Sequence, residues 1–471
     1  MPAVFSRLLF LLLPVLFVAQ AMGSEPVESS DRGVVLGPMT SIAEDGSHSS
    51  LGRESIDRAL AALEAGEHEK AAESFQSLYR ANGWPEAAYN AGLAWFREGR
   101  YDQGLRFAEV AAEALPGDLR VRYLQGVLLQ TVGRYRDARD VLQGTLSRAE
   151  ELDSAFHRAI AHLNLGASSR LLGDPDGALA SFAAAAELGQ REALPGIVSA
   201  ARVGEGRVRL ALGDRAGAEA AWKEARRLGR KTGLDAVEAD SALSLAAVAL
   251  AQGKPARAAR QVDRALAHAR ALSEQSVLAS LLLGAAELRW DSGEGVSARA
   301  LLDEAETLFG RSGVEVGLGH VIHLRGAWAR EEGQLEESQR LLEEALAIQQ
   351  RFQVPLAEAD TRRQLAQLRA DQGRLDEALQ LALGAVEVFR RARALELERT
   401  AQVVLADVRF RRGELEEARL AGVRALELAE RSGAKLARNQ IHAELAILHA
   451  AQGDVDAALR SLSAIPQEAW A

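Results

Sequence analysis

The chain of 471 residues sets 56 Lys and Arg against 66 Asp and Glu, for a net charge of −10, and carries 48% hydrophobic residues and no cysteine. An acidic surface is a poor partner for nucleic acid, which rewards a basic stripe. The absence of cysteine excludes disulfide staples, thiol catalysis, Cys-ligated zinc and a lipobox anchor.

Residues 1–21 read as a secretory signal peptide: Arg7 supplies the basic n-region, Leu8 to Val18 the apolar run, and Ala19-Gln20-Ala21 an A-x-A cleavage site. Cleavage there starts the mature chain at Met22 and implies export, in a bacterium to the periplasm; an uncleaved N-terminal anchor is the other reading. Residues 22–50 are polar and rich in Ser, Gly, Glu and Asp, which predicts a disordered linker.

From Leu51 onward the chain is a repeat array. Gly66, Gly99 and Gly133 are separated by 33 and 34 residues. Gly133, Gly173, Gly213, Gly253, Gly293, Gly333, Gly373, Gly413 and Gly453 then follow at intervals of 40. A fixed period of this length marks a solenoid of stacked units, each packing only on its neighbours. Seven residues before each anchor glycine stands Gly or Ala, from Ala59 and Gly92 to Ala406 and Ala446. Five after it the residue is again small, as in Ala71, Gly104, Ala178 and Ser338. Small side chains at fixed points let two helix backbones approach closely, and the anchor glycine supplies the left-handed C-cap that ends the first helix. The array divides into units 1–3 (51–150, short period), units 4–11 (151–466, 40-residue period) and a tail (467–471).

These offsets resemble the tetratricopeptide repeat, which adds an aromatic four residues after its second small position, as in Ala71 to Phe75, Ala178 to Phe182 and Ala218 to Trp222. The stretch Ala88-Tyr89-Asn90-Ala91-Gly92-Leu93-Ala94-Trp95 reads like the family's first helix. The resemblance implies an all-α, right-handed α-α superhelix of about eleven helical hairpins. HEAT and armadillo repeats also run near 40 residues. Here, however, the small residues stay in tetratricopeptide register and the extra six fall between units, marked by Gly233, Gly313 and Gly433. Longer first helices are the simplest account of the longer period.

No phosphate-binding, dinucleotide-binding, nucleophile-elbow or HExxH motif occurs. His320 and His323 share a helix face but lack the third and fourth ligands a metal needs, so they read as surface or groove histidines. Trp222 and Trp328 sit at packing offsets and read as core. No catalytic residue, cofactor or metal is expected.

The resemblance places partner binding on the concave face lined by the first helices. Its candidate residues are Tyr89, Asn90, Leu93 and Phe96 in unit 2, Tyr123 and Val127 in unit 3, His320, His323 and Arg330 in unit 8, and Arg363 in unit 9. The expected groove is apolar and aromatic at its N-terminal end and charged at its C-terminal end. The carboxylate-clamp subtype is rejected, because Tyr89 stands where a Lys is needed. The expected function is a non-enzymatic scaffold for a peptide or protein partner, with a ligand-sensing regulatory module as the alternative. The last helix offers Leu459, Leu462 and Ile465 without a clear solvating helix after it, which predicts self-association at that end or a fold-back of Pro466 to Ala471.

Overall fold

The computed structural model describes residues 36–40 and 50–466. The expected leader, the tail and most of the linker lie outside the described residues. Twenty-two α-helices and no strand make up the array among the described residues, from α1 (Ser50–Glu64) to α22 (Val455–Ser463). Odd-numbered helices pair with the even-numbered helix that follows them, giving eleven hairpins in a solenoid.

The anchor glycines end the first helices as expected. All eleven, from Gly66 to Gly453, have φ between 72° and 92°, a region that costs a residue with a Cβ about 1 kcal/mol or more. The turns between hairpins use the same conformation. Gly233, Gly313 and Gly433 supply it cheaply, with φ of 71°, 68° and 64°, whereas Asp153, Ala193, Gln353 and Arg393 adopt it at 49° to 55°.

The six extra residues of the long period do not lengthen the first helix alone. Between Gly99 and Gly133 the chain forms α4 (Tyr101–Ala114) and α5 (Leu119–Thr131), of 14 and 13 residues. Between Gly133 and Gly173 it forms α6 (Tyr135–Glu151) and α7 (Ala155–Leu171), each of 17. Both helices gain about a turn, so the small-residue contacts at the anchor end keep their register while the far end of the hairpin extends.

Close helix approach explains the small positions. A Cβ on Gly92 would stand 3.1 Å from the carbonyl oxygen of Gly104, and one on Gly166 would stand 2.7 Å from the Phe182 ring. Trp222 is fully buried, and Trp328 is buried and stacked on Trp290 with centroids 4.3 Å apart, so both are packing residues.

Successive turns of the superhelix touch. Arg136 donates to Gln353 Oε1 at 2.8 Å, Arg393 to Asp176 at 2.9 Å, and Arg215 to the carbonyl of Gly433. These partners lie 217 or 218 residues apart, between five and six long units. Gly133 serves the same closure: a Cβ there would meet that of Val316 at 2.9 Å. The inner face is therefore narrow, and many polar side chains on the odd-numbered helices are sequestered there. At the far end α22 leaves Leu459 and Leu462 exposed, at 58% and 37%.

Candidate functional site

The sharpest feature of the inner face lies on α3 (Pro85–Glu98). Pro85 opens this helix after the extended Trp84, and every residue from Ala87 to Trp95 is buried. Gly92 lets α4 approach on one side, where a Cβ would meet the backbone of Gly104 and Ala108. Tyr89 and Asn90 are turned toward residues 36–40, which belong to the stretch read as a disordered linker. These five residues lie against α3.

The contact is made through main-chain atoms. The Met39 amide donates to Asn90 Oδ1 at 2.7 Å, and Asn90 Nδ2 donates to the Met39 carbonyl at 3.0 Å. The Tyr89 hydroxyl donates to the Gly37 carbonyl at 3.0 Å, and Arg97 to the Leu36 carbonyl at 3.0 Å. The Met39 side chain is fully buried, and Leu36 packs against the same apolar core. Burial pushes the Tyr89 phenol up from its usual range, so it stays a neutral donor.

Leu93 is fully buried and Phe96 is half-buried, its ring 5.7 Å from that of Tyr101. Tyr123 and Val127 are buried on α5. From the next superhelical turn, the Tyr101 hydroxyl meets Ser276 Oγ at 2.8 Å. Desolvation raises Glu274, two residues earlier, to about 7.

The C-terminal candidates form a different constellation. His320 and His323 on α15 (Glu315–Glu331) are buried rather than on the surface or in an open groove. His323 Nδ1 lies 2.7 Å from Thr361 Oγ1 and its Nε2 3.2 Å from Asp360, both on α17 (Pro355–Asp371). Arg363 is buried too and donates to Asp360 at 2.7 Å. Ten residues before the anchor, His323 thus faces the neighbouring odd-numbered helix, while Arg363 pairs within its own. Burial opposes ionisation of Asp360, but the Arg363 charge and the His323 hydrogen bond outweigh it and hold the carboxyl well below the usual range. Burial, with His323 beside it, pulls His320 down to about 4, against the charge of Asp360. Arg330 is separate from this cluster. It pairs with Asp371 at 3.0 Å and lines a cleft of about 430 Å³ with Val403, Phe410, Arg411, Glu444 and Leu448. Burial, reinforced by Asp407 and opposed by Arg399, raises Glu444 in that cleft to about 7.

The structure thus brings Tyr89 and Asn90 together on one extended segment, and links His323 and Arg363 through Asp360. It does not gather the ten candidates into one continuous open groove. Sequence reasoning missed residues 36–40 and Arg97 as parts of a site, whereas Asp360 stands at an inner-face offset of unit 9. A signal for the first was present: Val34, Val35, Leu36 and Met39 form an apolar island around Gly37-Pro38 in an otherwise polar stretch. Among the described residues no cluster of His, Asp and Glu has the arrangement of a metal site, and no helix is long and apolar enough to cross a membrane.

Comparison with known proteins agrees with this architecture. Family profiles described as Tetratricopeptide repeat match residues 56–118 and 123–193, and again 239–264, 359–383, 400–419 and 439–464. The matched segments therefore carry tetratricopeptide repeats. The hairpins between the matched segments have the same two-helix form. Among solved structures, yeast Tom70 is similar at 16% identity, over 87% of this chain and 90% of that one, with a TM-score of 0.39. Apo RapI aligns at 11% identity over 55% and 98%, with a TM-score of 0.48. MamA of Desulfovibrio magneticus RS-1 aligns at 18% over 39% and 97%, with a TM-score of 0.34. No curated protein matches the chain significantly.

Proposed function

We propose that this protein is a non-enzymatic, exported scaffold that binds an extended segment of a protein partner on the inner face of its N-terminal hairpins. One observation carries the reading. Asn90 is fully buried, yet its amide satisfies both the amide and the carbonyl of a residue 51 positions away in an extended segment. A side-chain amide that completes a foreign main chain is a means of holding peptide without regard to most of its side chains.

A photo-cross-linking residue at Phe96, half-buried on α3 and next in sequence to Arg97, tests the reading in the native cell. Expected is a discrete adduct that weakens with Asn90→Ala; adducts indifferent to Asn90, or none, overturn it. Export rests on residues 1–21 and is tested by intact mass: a native chain beginning at Met22 supports it, and a retained leader in the cytosol removes it. Self-association is supported by the exposed Leu459 and Leu462, and a monomeric scattering mass removes it. The cleft beside Glu444 favours the second reading, a ligand-sensing module. A melting shift with a small ligand but no cross-linked partner would select it.

A further inference from the structure

We infer that residues 36–40 are a built-in competitor, so that the N-terminal peptide site is closed in cis until a partner segment of the same chemistry displaces them. The inference rests on the peptide-binding reading above and names both the ligand class and the regulation of that site. The resident segment defines the ligand. Among the described residues, the polar grips on it reach main-chain atoms: the amide and carbonyl of Met39 and the carbonyls of Gly37 and Leu36. The bound segment needs no free carboxylate, so the site takes an internal stretch of chain. Pro38 has no amide proton to leave unsatisfied and holds the chain extended before it binds. Met39 is buried completely, which asks for an unbranched or γ-branched apolar side chain at that place. The ligand is therefore an uncharged internal segment with a Met or Leu at the buried place.

The regulation follows from tethering. A segment on the same chain competes at an effective concentration of about a millimolar. With an intrinsic Kd of about 0.1 mM or tighter, a free peptide of equal affinity is then suppressed by about tenfold or more, because only the open fraction of the protein can bind it.

The test uses the full chain and a fluorescent peptide of residues 34–42. On the protein, Met39→Asp places a charge in the apolar seat and frees the site, and a helical circular dichroism spectrum equal to that of the unaltered chain checks that the array stays folded. Expected is anisotropy-detected binding at least tenfold tighter to the Met39→Asp chain than to the unaltered chain. Adding Asn90→Ala to Met39→Asp should remove that gain, and Tyr89→Phe, which deletes only the hydroxyl, should reduce it several-fold with an unchanged thermal melt. A peptide that itself carries Met39→Asp should not bind. Equal affinity for the unaltered and Met39→Asp chains overturns the competition. Absence of binding to both overturns the assigned ligand class. In either case an Asn90-dependent adduct at Phe96 would leave the scaffold reading standing, so the two failures are distinguishable.

Discussion

Ten residues before the anchor glycine, hairpins 2 and 3 carry Tyr89 and Tyr123, whereas hairpins 8 and 9 carry His323 and Arg363. All four are buried, at 2% exposure or less. Their partners differ. In the C-terminal half Asp360 accepts from Arg363 and lies against His323, so the charges neutralise one another inside the array. In the N-terminal half the hydroxyl of Tyr89 and the amide of its neighbour Asn90 are satisfied by residues 36–40, a segment from outside the array. At this repeat position His323 and Arg363 are therefore paired within the helices, whereas Tyr89 is paired with a segment outside them. What separates them is whether the polar group finds its partner within the helices.

The largest effect is expected where the comparison is broken on the C-terminal side. Asp360→Ala leaves the buried guanidinium of Arg363 without its carboxylate, and denaturant titration should show a loss of about 3–5 kcal/mol. Asp360→Leu with Arg363→Met should recover most of it, since replacing both charges by apolar groups of similar volume is close to neutral. A small loss for Asp360→Ala alone would show that the charges are hydrated rather than sequestered.

Acidification should also distinguish the halves. His320 titrates near 6.5 in the unfolded chain and near 4 in the folded one, because burial and His323 disfavour its charge more than Asp360 favours it. Between those values the unfolded chain binds more protons, so stability falls as pH drops from 6.5 to 4. His320→Gln should flatten that part of the profile by on the order of 2 kcal/mol, read as the pH dependence of the denaturation midpoint. A profile identical to that of the unaltered chain would mean that His320 is solvated.

On the N-terminal side the expected effect is smaller and local. Tyr89→Phe removes one hydrogen bond to Gly37, worth about 1 kcal/mol. It should raise hydrogen exchange at the Met39 amide while leaving that of α7 unchanged. Exchange raised throughout the array would instead make Tyr89 a packing residue for the whole solenoid. The smallest effect concerns the turns that both halves share. Ala193 holds a φ of 55°, where Gly233 holds 71° at the equivalent turn. Ala193→Gly should therefore stabilise by about 0.5–1 kcal/mol, visible as a raised melting temperature. A lowered melt would show that the turn is held by contacts other than its backbone.

Much of the architecture was legible because it is local. The anchor glycines needed only the rule that a left-handed cap disfavours a Cβ. The small residues at fixed offsets needed only the rule that close helices leave no room. Both recur in every unit, so eleven copies of a weak signal became a strong one. The length of the helices was less legible: six extra residues could extend either helix, and the structure divides them between both.

The site was legible only in part. Tyr89 and Asn90 were found because they stand at inner-face offsets. His320, His323 and Arg363 were found by the same rule, and their burial could not be. The sequence by itself determined the repeat, its helices, its caps and the faces those helices turn inward, since each depends on residues less than one period apart. The tertiary structure alone decided how closely the turns stack, which inner polar groups pair with each other, and that Leu36 to Thr40 lies against α3. Those outcomes depend on groups from about 30 to more than 200 residues apart. No periodicity encodes such distances, because the rotation between neighbouring hairpins accumulates unit by unit before the distant partners meet.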